Sequence, residues 1–199
     1  MELTTEDKRQ IRESIQDKYK KVAQTPEGRF RYPTGRKGMT QLEYPREIQD
    51  LPEEVLTCFC GVGNPFSLGS LRTGYRVLDV GCGCGADTIL AAFMIAPTGW
   101  ADGIDVVPEM ISRAEENRRK AGISNCSFQD GDAEALPFPE ASIDAVISNG
   151  ALNLVPDKKR ALREILRVLK PASSLLLADE VLEGSLPENK QERLEKWSG

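Results

Sequence analysis

Three glycines separated by single residues follow a short apolar run, in the segment "VLDVGCGCGAD" at positions 77 to 87. Glycine at Gly81, Gly83 and Gly85 lets the backbone turn sharply and approach a ligand that any Cβ atom would repel. The helix predicted after Gly85 directs free N–H groups and a partial positive charge at the same point, which favours an anionic ligand group. The loop therefore predicts a ligand site, and we count Cys82 among its ligand-facing small residues.

Asp79 narrows the choice of ligand at this loop. A carboxylate two residues before Gly81 is unfavourable beside a pyrophosphate but suits an ammonium group. S-adenosylmethionine carries an ammonium group for Asp79 and a carboxylate for the helix end, so we expect this cofactor rather than a dinucleotide. A nicotinamide-dependent oxidoreductase shares the predicted fold and stays open as a less favoured alternative.

Two further carboxylates end the next two predicted strands. In "GIDVVPEM", Asp105 is placed to accept hydrogen bonds from ribose hydroxyls, with Val106 and Met110 beside an adenine ring. In "DGDAEALPF", Asp132 is placed to accept from the adenine amino group, and the Ala133 N–H to reach a ring nitrogen. Each residue also has a purely structural explanation, as a helix cap, core residue or turn former. Their joint placement at successive strand ends favours a cofactor site.

These strand ends need a framework, and the pattern from Tyr75 onward provides one by alternating apolar runs with helical stretches. The pattern predicts strands over 75–81, 100–106, 126–132, 142–150 and 173–181, and helices over 86–96, 108–122 and 157–170. Such alternation predicts an α/β fold, a Rossmann-like, doubly wound and mostly parallel sheet that binds ligands at the carboxyl ends of its strands. The side chains of the last helix predicted to face the core are Leu162, Ile165, Leu166 and Leu169.

The chain before this framework predicts a cap of helices and loops. A first helix, with Thr5 as its N-cap, has an apolar face formed by Ile11, Ile15, Tyr19 and Val22. The segment 25–39 is interpreted as a loop or a lid over the substrate, and a short helix is expected to end near Gly61. If the segment is a lid, three of its side chains favour an anionic substrate: Arg29, Arg31 and Arg36. We expect three units: a cap at 1–70, a cofactor-binding core at 71–182 and a helical tail at 183–199.

Composition excludes several classes of protein. The 199 residues carry a net charge of -5 without a cluster of Lys and Arg, so no nucleic acid partner is expected. The charged N-terminus and the absence of a long apolar run predict a cytoplasmic protein without a membrane partner. The chain has no histidine, which excludes Ser-His-Asp hydrolysis, Cys-His proteolysis and His-ligated zinc. Its five cysteines are expected to be free thiols, and its oligomeric state is not indicated.

The segments quoted above resemble a known family, the class I S-adenosylmethionine-dependent methyltransferases. The resemblance covers residues 75–181 and is strongest to the arsenite methyltransferase branch. It is carried by "VLDVGCGCGADTILAA", "GIDVVPEMISRAEEN", "DGDAEALPFPEASIDAVISNGALNLVPDK", "ALREILRVLKP" and "GVGNPF". It implies methyl transfer, in which the cofactor carries the reactive group and the protein supplies position and a site poor in water.

The sequence departs from this branch at the cysteines that hold As(III). The resemblance places those thiolates at Val62 in "GVG", at Gly150 in "SNG" and at the residue after Gly199. Arsenite is therefore in doubt as the substrate, although Cys58 and Cys60 offer a partial substitute. We expect a small, soft nucleophile that needs no strong base, namely an arsenite-like, selenium or thiol compound, and we assign no catalytic residue. The expected acceptor site comprises Cys60, Asn149, Gly150 and Asn153, with Asn149 also beside the cofactor.

The C-terminal end carries one more hypothesis from the resemblance. Some relatives have selenocysteine at the third thiol position, so a selenocysteine codon read as a stop would end the sequence at "WSG" and remove the last strands of the fold. A cofactor-binding but catalytically incomplete protein is then the main alternative function. No metal is expected, and a soft-metal site of Cys58, Cys60, Cys82 and Cys84 is the less favoured alternative, because its ligands would occupy the cofactor loop.

Overall fold

The computed structural model describes residues 3–46, 48, 51–181, 184, 189, 194 and 197. Within them, the core is a five-stranded, all-parallel sheet in the order β3-β2-β1-β4-β5. The strands are β1 (Arg76–Val80), β2 (Trp100–Asp105), β3 (Cys126–Asp130), β4 (Ile143–Asn149) and β5 (Leu169–Ala178). The helices are α1 (Thr5–Gln24), α2 (Gly35–Gln41), α3 (Glu53–Thr57), α4 (Ala86–Met94), α5 (Pro108–Ala121) and α6 (Lys158–Val168).

The strand order reverses direction beside β1, whose two neighbours are β2 and β4. Four of the five β1 residues are buried, as expected of a central parallel strand covered on both faces. Two separate apolar clusters cover those faces, one including side chains of α4 and α5 and the other including side chains of α6. The predicted Rossmann-like, doubly wound fold is confirmed, and its switch point beside β1 is where such sheets bind ligands.

The local signals of the N-terminal helix need one correction. The N-cap of α1 is Thr4 rather than Thr5, because Thr4 and Asp7 form a reciprocal capping box. The Thr4 hydroxyl accepts from the Asp7 N–H at 3.2 Å, and the Asp7 carboxylate accepts from the Thr4 N–H at 2.7 Å. Thr5 has no acidic residue at the matching distance, since position 8 is Lys8.

The predicted inward face of α6 is partly wrong. Leu162 and Leu166 are 39% and 68% exposed, whereas Ala161, Ile165 and Val168 are buried. Two sets of apolar residues recur at helical spacing on this helix, and the spacing alone does not show which set faces the sheet. Leu169, also predicted to face inward from this helix, is half-buried and begins β5, four residues before the predicted strand start.

Three other expectations about the chain outside the sheet have mixed outcomes. Segment 25–39, interpreted as irregular, contains the start of α2 at Gly35, and the short helix expected to end near Gly61 is α3, which ends at Thr57. Most of the predicted tail, 183–199, lies outside the described residues. The division into units at residues 70 and 182 stays a prediction. None of the helices in the described ranges is long and apolar enough to cross a bilayer.

Candidate functional site

A cleft lies at the carboxyl ends of β1, β2 and β4, the edge of the sheet at which folds of this type bind ligands. The predicted site residues that line it are Cys60, Gly81, Gly83, Asp105, Val106, Met110, Asp132, Ala133, Asn149 and Gly150. They come from five separate parts of the sequence, and the fold brings them to one opening. The structure thus gathers most of the residues that sequence patterns select, although their roles stay predictions.

Four predicted site residues do not line the cleft. Asp79 is buried at the end of β1, where its carboxylate accepts a hydrogen bond from the Thr88 hydroxyl at 2.6 Å. Cys82 packs into the apolar cluster on the α4 face of the sheet, and Gly85 forms the N-cap of α4. Asn153 donates its backbone N–H to Asp179, while its side-chain Oδ1 is buried without a partner in the described part of the chain.

The glycine loop leaves space where a ligand can approach the backbone. Gly83 has φ +51°, and a Cβ atom added there would meet no atom within 4 Å, so it would project into open space. At Gly81, by contrast, an added Cβ would lie 2.2 Å from the Ala151 Cβ, which shows close packing against the segment after β4. Gly83 lines the cleft, so its missing side chain leaves a cradle that fits a cofactor lying against the loop.

Asp105 is tied to this cradle by backbone hydrogen bonds. Its carboxylate accepts from the N–H of Gly83 and from the N–H of Val107, both at 2.9 Å. Burial raises the pKa of Asp105 to about 6, while these N–H groups favour the ionised form. Because a carboxylate has about four lone-pair sites, Asp105 retains acceptor capacity for hydroxyl groups in the cleft. This arrangement fits the ribose-binding role predicted for it.

Asp132 lies on the opposite wall of the cleft and is held by a side chain from α1. Its carboxylate accepts from the Glu134 N–H at 2.8 Å and lies 3.3 Å from the Arg12 guanidinium. Arg12 also pairs with Glu134 at 3.0 Å, and this carboxylate is almost fully buried. The sequence patterns did not assign a role to Arg12, which joins the N-terminal helix to the predicted adenine side of the site.

One face of α1 forms part of the cleft wall. Ile15 and Tyr19 line the cleft, and the helix is held by ion pairs Lys8–Asp157 at 3.0 Å and Lys20–Glu109 at 2.7 Å. Sequence reasoning treated the apolar stripe of α1 only as packing. The sequence signal for this cover was the pair of lysines that flank the stripe, Lys8 and Lys20, because their charges complement acidic residues that follow strands of the sheet.

The segment predicted as a lid does not contribute its arginines to the cleft. Arg36 pairs with Glu53 at 2.7 Å, and the Arg29 Nε donates to the Thr25 carbonyl at 2.8 Å. Neither these two side chains nor Arg31 line the cleft. The cover over the site is therefore α1, and the suggested preference for an anionic acceptor finds no support in these arginines.

Asn149 ends β4 and organises the turn formed by residues 61–63. Its Oδ1 accepts from the N–H groups of Val62 and Gly63 at 2.9 and 3.1 Å. Its Nδ2 lies within hydrogen-bonding distance of the Gly63 carbonyl, the Tyr44 hydroxyl and the Asp87 carboxylate, at 2.9, 2.8 and 3.0 Å. The Asn149 side chain therefore holds the wall of the cleft, and its polar atoms are all engaged.

The same turn places Val62 directly beside Gly150. A Cβ atom added to Gly150 would lie 3.2 Å from Val62 Cγ1 and 3.8 Å from Val62 Cβ. These are the two positions at which the arsenite methyltransferase resemblance places thiolates. The fold thus brings the two thiolate positions together, and this chain fills them with an isopropyl group and a hydrogen atom.

The cysteines divide into different environments. Cys60 lines the cleft, and burial raises the pKa of its thiol to about 12, so it is a neutral thiol at pH 7. Hydrogen bonding from Cys84, together with nearby Arg113, lowers the pKa of Cys58, and Cys84 Sγ lies 3.3 Å from Met110 Sδ. Cys82 packs in a different cluster from Cys58 and Cys84. In the ranges that the structure describes, no three Cys, Asp or Glu side chains form a group suited to a metal.

Two solved structures to which this chain is similar are methyltransferases. An arsenic(III) S-adenosylmethionine methyltransferase from Chlamydomonas reinhardtii is 37% identical, with a TM-score of 0.61 over 66% of this chain and 46% of its own. A SAM-dependent methyltransferase from Aquifex aeolicus is 26% identical, with a TM-score of 0.55 over 76% and 77% of the two chains. The fold is therefore shared with proteins described as S-adenosylmethionine-dependent methyltransferases.

Curated relatives differ in the acceptor that their names specify. An arsenite methyltransferase from Halobacterium salinarum is 39% identical over 66% of this chain, and a ubiquinone/menaquinone biosynthesis C-methyltransferase from Pseudomonas savastanoi is 40% identical over 62%. The chain spans 34% and 47% of the lengths of these two proteins. A family model described as a methyltransferase domain matches residues 71–199. The chain belongs to this methyltransferase domain family, as the class I resemblance predicted, and S-adenosylmethionine is the cofactor.

Proposed function

We propose that this chain transfers a methyl group from S-adenosylmethionine to a small, soft nucleophile, such as a thiol, a selenium compound or an arsenite-like compound. The observation that carries the proposal is the position of Val62 directly beside Gly150, which lines the same cleft as the glycine loop. The proposal extends the family assignment to a class of acceptor.

The cofactor end of the cleft supports a specific orientation. Gly83 offers an open cradle to the amino acid part of the cofactor, and Asp105 has acceptor capacity for the ribose hydroxyls. Val106 and Ala133 line the cleft beside Asp132, which suits an adenine ring and its amino group. When bound, the cofactor supplies an electrophilic methyl group on its sulfonium.

The acceptor end of the cleft supports a soft nucleophile. The side-chain oxygen and nitrogen of Asn149 are hydrogen-bonded to the 61–63 turn, and the Cys60 thiol is protonated at pH 7. Neither side chain is therefore placed to accept a proton from the substrate. The chain has no histidine to act as a base. Thiols and selenols ionise near neutral pH and react without a strong base, which suits such a site. Val62 and Gly150 provide apolar contact but no thiolates, so a carbon-bearing thiol or selenol fits better than arsenite.

A second candidate is a cofactor-binding protein that has lost turnover. It is favoured by the same Asn149 network, since an amide whose polar atoms are all hydrogen-bonded within the protein has less means of orienting a substrate. A nicotinamide-dependent oxidoreductase is disfavoured by the family to which the chain belongs.

Methyl transfer to a panel of acceptors tests the proposal. The protein is incubated with S-adenosylmethionine and, separately, small thiols, methylselenol, arsenite and a quinol, and both S-adenosylhomocysteine and the methylated product are measured by mass spectrometry. We expect product from a thiol or selenol, and none from the Asp105→Ala variant, which lacks the ribose-facing carboxylate. Cofactor binding without turnover of any acceptor would favour the inactive alternative, and turnover of the quinol alone would assign the acceptor class of the quinone relatives.

A further inference from the structure

Two carboxylates, Asp79 and Asp87, are buried behind the cleft wall with no cation beside them. They are 2% and 7% exposed. In the part of the chain that the structure describes, none of the ion pairs formed by Lys or Arg involves either carboxylate or the neighbouring Asp105. Buried carboxylates normally have a charged partner, because an unpaired charge in a low-dielectric site is costly.

Asp87 is also incompletely hydrogen-bonded. Its Oδ2 accepts from the Tyr44 hydroxyl at 3.1 Å and from Asn149 Nδ2 at 3.0 Å, whereas its buried Oδ1 has no partner among the described residues. Unsatisfied buried polar atoms are rare in proteins and often mark a place for an ion or ligand. Asp87 is hydrogen-bonded to Asn149, and Asn149 lines the cleft. A positive charge in the cleft would therefore stabilise the ionised form of Asp87.

The groups that face Asp87 add no positive charge. Asp79 on β1 and Asp105 on β2 are acidic, and the Tyr44 hydroxyl and the Cys60 thiol are neutral at pH 7 because burial raises the pKa of each. Burial also raises the pKa of Asp87 to about 6, and that of Asp79 well above its usual range. Without a bound cation, protons therefore compensate this cluster of acids at slightly acid pH.

The two forms of the cofactor differ in the charge that they bring. S-adenosylmethionine carries a sulfonium, an ammonium and a carboxylate, whereas S-adenosylhomocysteine has a neutral thioether in place of the sulfonium. Both forms present the ammonium group expected near Asp79. The sulfonium is expected at the acceptor end, beside Asn149, whose Nδ2 lies 3.0 Å from the Asp87 carboxylate.

We propose that Asp87 distinguishes substrate from product by exchanging a proton for the sulfonium charge. This inference rests on the proposed function and adds a residue that determines the preference between the two cofactor forms. Binding of the sulfonium favours ionised Asp87 and releases a proton. Once the methyl group has left, the carboxylate faces a neutral thioether, takes up a proton from solvent again, and binds the product less tightly.

The sign of the pH dependence follows from proton release. A ligand that expels one proton binds about tenfold more tightly for each unit of rising pH while Asp87 is protonated in the free protein, and the gain ends once it is ionised. We therefore expect the affinity ratio of S-adenosylmethionine to S-adenosylhomocysteine to rise from pH 5 to pH 6 and then level off.

Isothermal titration calorimetry tests this directly. Each cofactor form is titrated at pH 5.5 in two buffers of different protonation enthalpy, which gives the number of protons released independently of turnover. Sinefungin, which carries an amine where the cofactor has its sulfonium, is the third ligand. We expect S-adenosylmethionine and sinefungin each to release up to about three-quarters of a proton more than S-adenosylhomocysteine, because Asp87, with a pKa of about 6, is about three-quarters protonated in the free protein at pH 5.5.

The Asp87→Asn variant tests whether the released proton comes from Asp87. Its amide oxygen can still accept hydrogen bonds from Tyr44 and Asn149, so only the titratable group is lost. We expect it to equalise proton release between the cofactor forms. Asp102→Asn is the control, since Asp102 is another buried carboxylate but is paired with Arg76 at 3.0 Å, and the side chains hydrogen-bonded to it do not line the cleft. Equal proton release in the unmodified protein, or an unchanged difference in Asp87→Asn, would overturn the inference while leaving the proposed function intact. Failure to bind either cofactor form would overturn both.

Discussion

The proposed cofactor and acceptor ends of the cleft are built in different ways. At the cofactor end, residues follow their strands directly in sequence, and the backbone of Gly83 and the carboxylate of Asp105 hold each other at 2.9 Å. At the acceptor end, Val62 and Gly150 are 88 positions apart in sequence and meet only because Asn149 binds the 61–63 turn. Local sequence thus determines the first end, whereas tertiary contacts determine the second. Changes at the two ends should separate cofactor binding from acceptor use.

The largest effect is expected at the glycine cradle. In Gly83→Ala, the new methyl group projects into the space proposed for the cofactor, so cofactor affinity should fall by about 100-fold or more, or about 2.7 kcal/mol. Gly122→Ala is the matched control: Gly122 also has positive φ (+69°) and open space, but it caps α5. Both variants should lose about 1 kcal/mol of folding free energy from backbone strain. Equal cofactor affinity in the two variants, measured by calorimetry, would refute the cradle.

The next effect concerns Asn149 and should fall on the acceptor. Asn149→Ala frees the turn that places Val62, and a small displacement of a substrate-positioning wall costs on the order of tenfold to a hundredfold in kcat/KM. Asn125→Ala removes a comparable amide that binds the carbonyls of Ala92 and Gly99, so it should lower stability without this kinetic effect. Steady-state kinetics with the acceptor from the panel, at saturating cofactor, make the comparison. A loss of cofactor affinity larger than the loss in acceptor kcat/KM would show that the two ends are not separable.

A gain of function tests the acceptor end from the other direction. The Cβ atoms of a Val62→Cys and Gly150→Cys double variant would lie about 3.8 Å apart, close enough for two thiolates to share one As(III). Replacing valine also relieves the 3.2 Å contact with Cγ1, although positive φ at position 150 adds strain of about 1 kcal/mol.

Under reducing conditions, we expect the double variant to bind arsenite about tenfold more tightly than Val62→Cys alone, equivalent to about 1.4 kcal/mol. Calorimetric titration with arsenite gives both affinities, and circular dichroism checks that the variants are folded. No gain in a folded double variant would mean that these two positions do not face a common acceptor space.

The smallest effect is expected where α1 covers the cofactor end. Arg12→Ala removes a partly exposed ion pair with Asp132 and a second pair with Glu134, which together should weaken cofactor binding about threefold, or about 0.7 kcal/mol. Arg9→Ala, on the exposed side of α1, loses only pairs within the helix and should leave the affinity unchanged. If the two substitutions have the same effect, α1 does not contribute to the cofactor end through Arg12.

The same contrast explains what the sequence could predict. The glycine loop, Asp105 and Asp132 belong to short motifs whose position relative to a strand is local information, so their convergence was predictable. The cover by α1 was not, because the apolar stripe of Ile15 and Tyr19 fits packing against a core as well as it fits the roof of a cleft. Nor could sequence show that Leu166 faces outward, since two stripes of α6 have helical spacing.

The pairing of Val62 with Gly150 had a partial signal. The resemblance marked both positions as sites of missing thiolates, but only the fold shows that one atom added at Gly150 would touch Val62. No sequence signal marked Asp87 as unusual, because an acidic residue in the first turn of a helix normally complements the helix dipole. Its burial results from tertiary packing, in which Tyr44 and Asn149 bind one carboxylate oxygen and the other, Oδ1, has no partner among the described residues.

A crystal structure with S-adenosylhomocysteine tests the central claim most directly, because it locates both ends of the cleft at once. The account predicts that the ribose hydroxyls contact Asp105, that the adenine lies beside Val106 and Ala133, and that the sulfur faces Val62 and Gly150. A ligand bound against Gly83 with its sulfur directed away from Val62 and Gly150 would contradict the proposed acceptor site. A ligand bound outside this cleft would contradict the account as a whole.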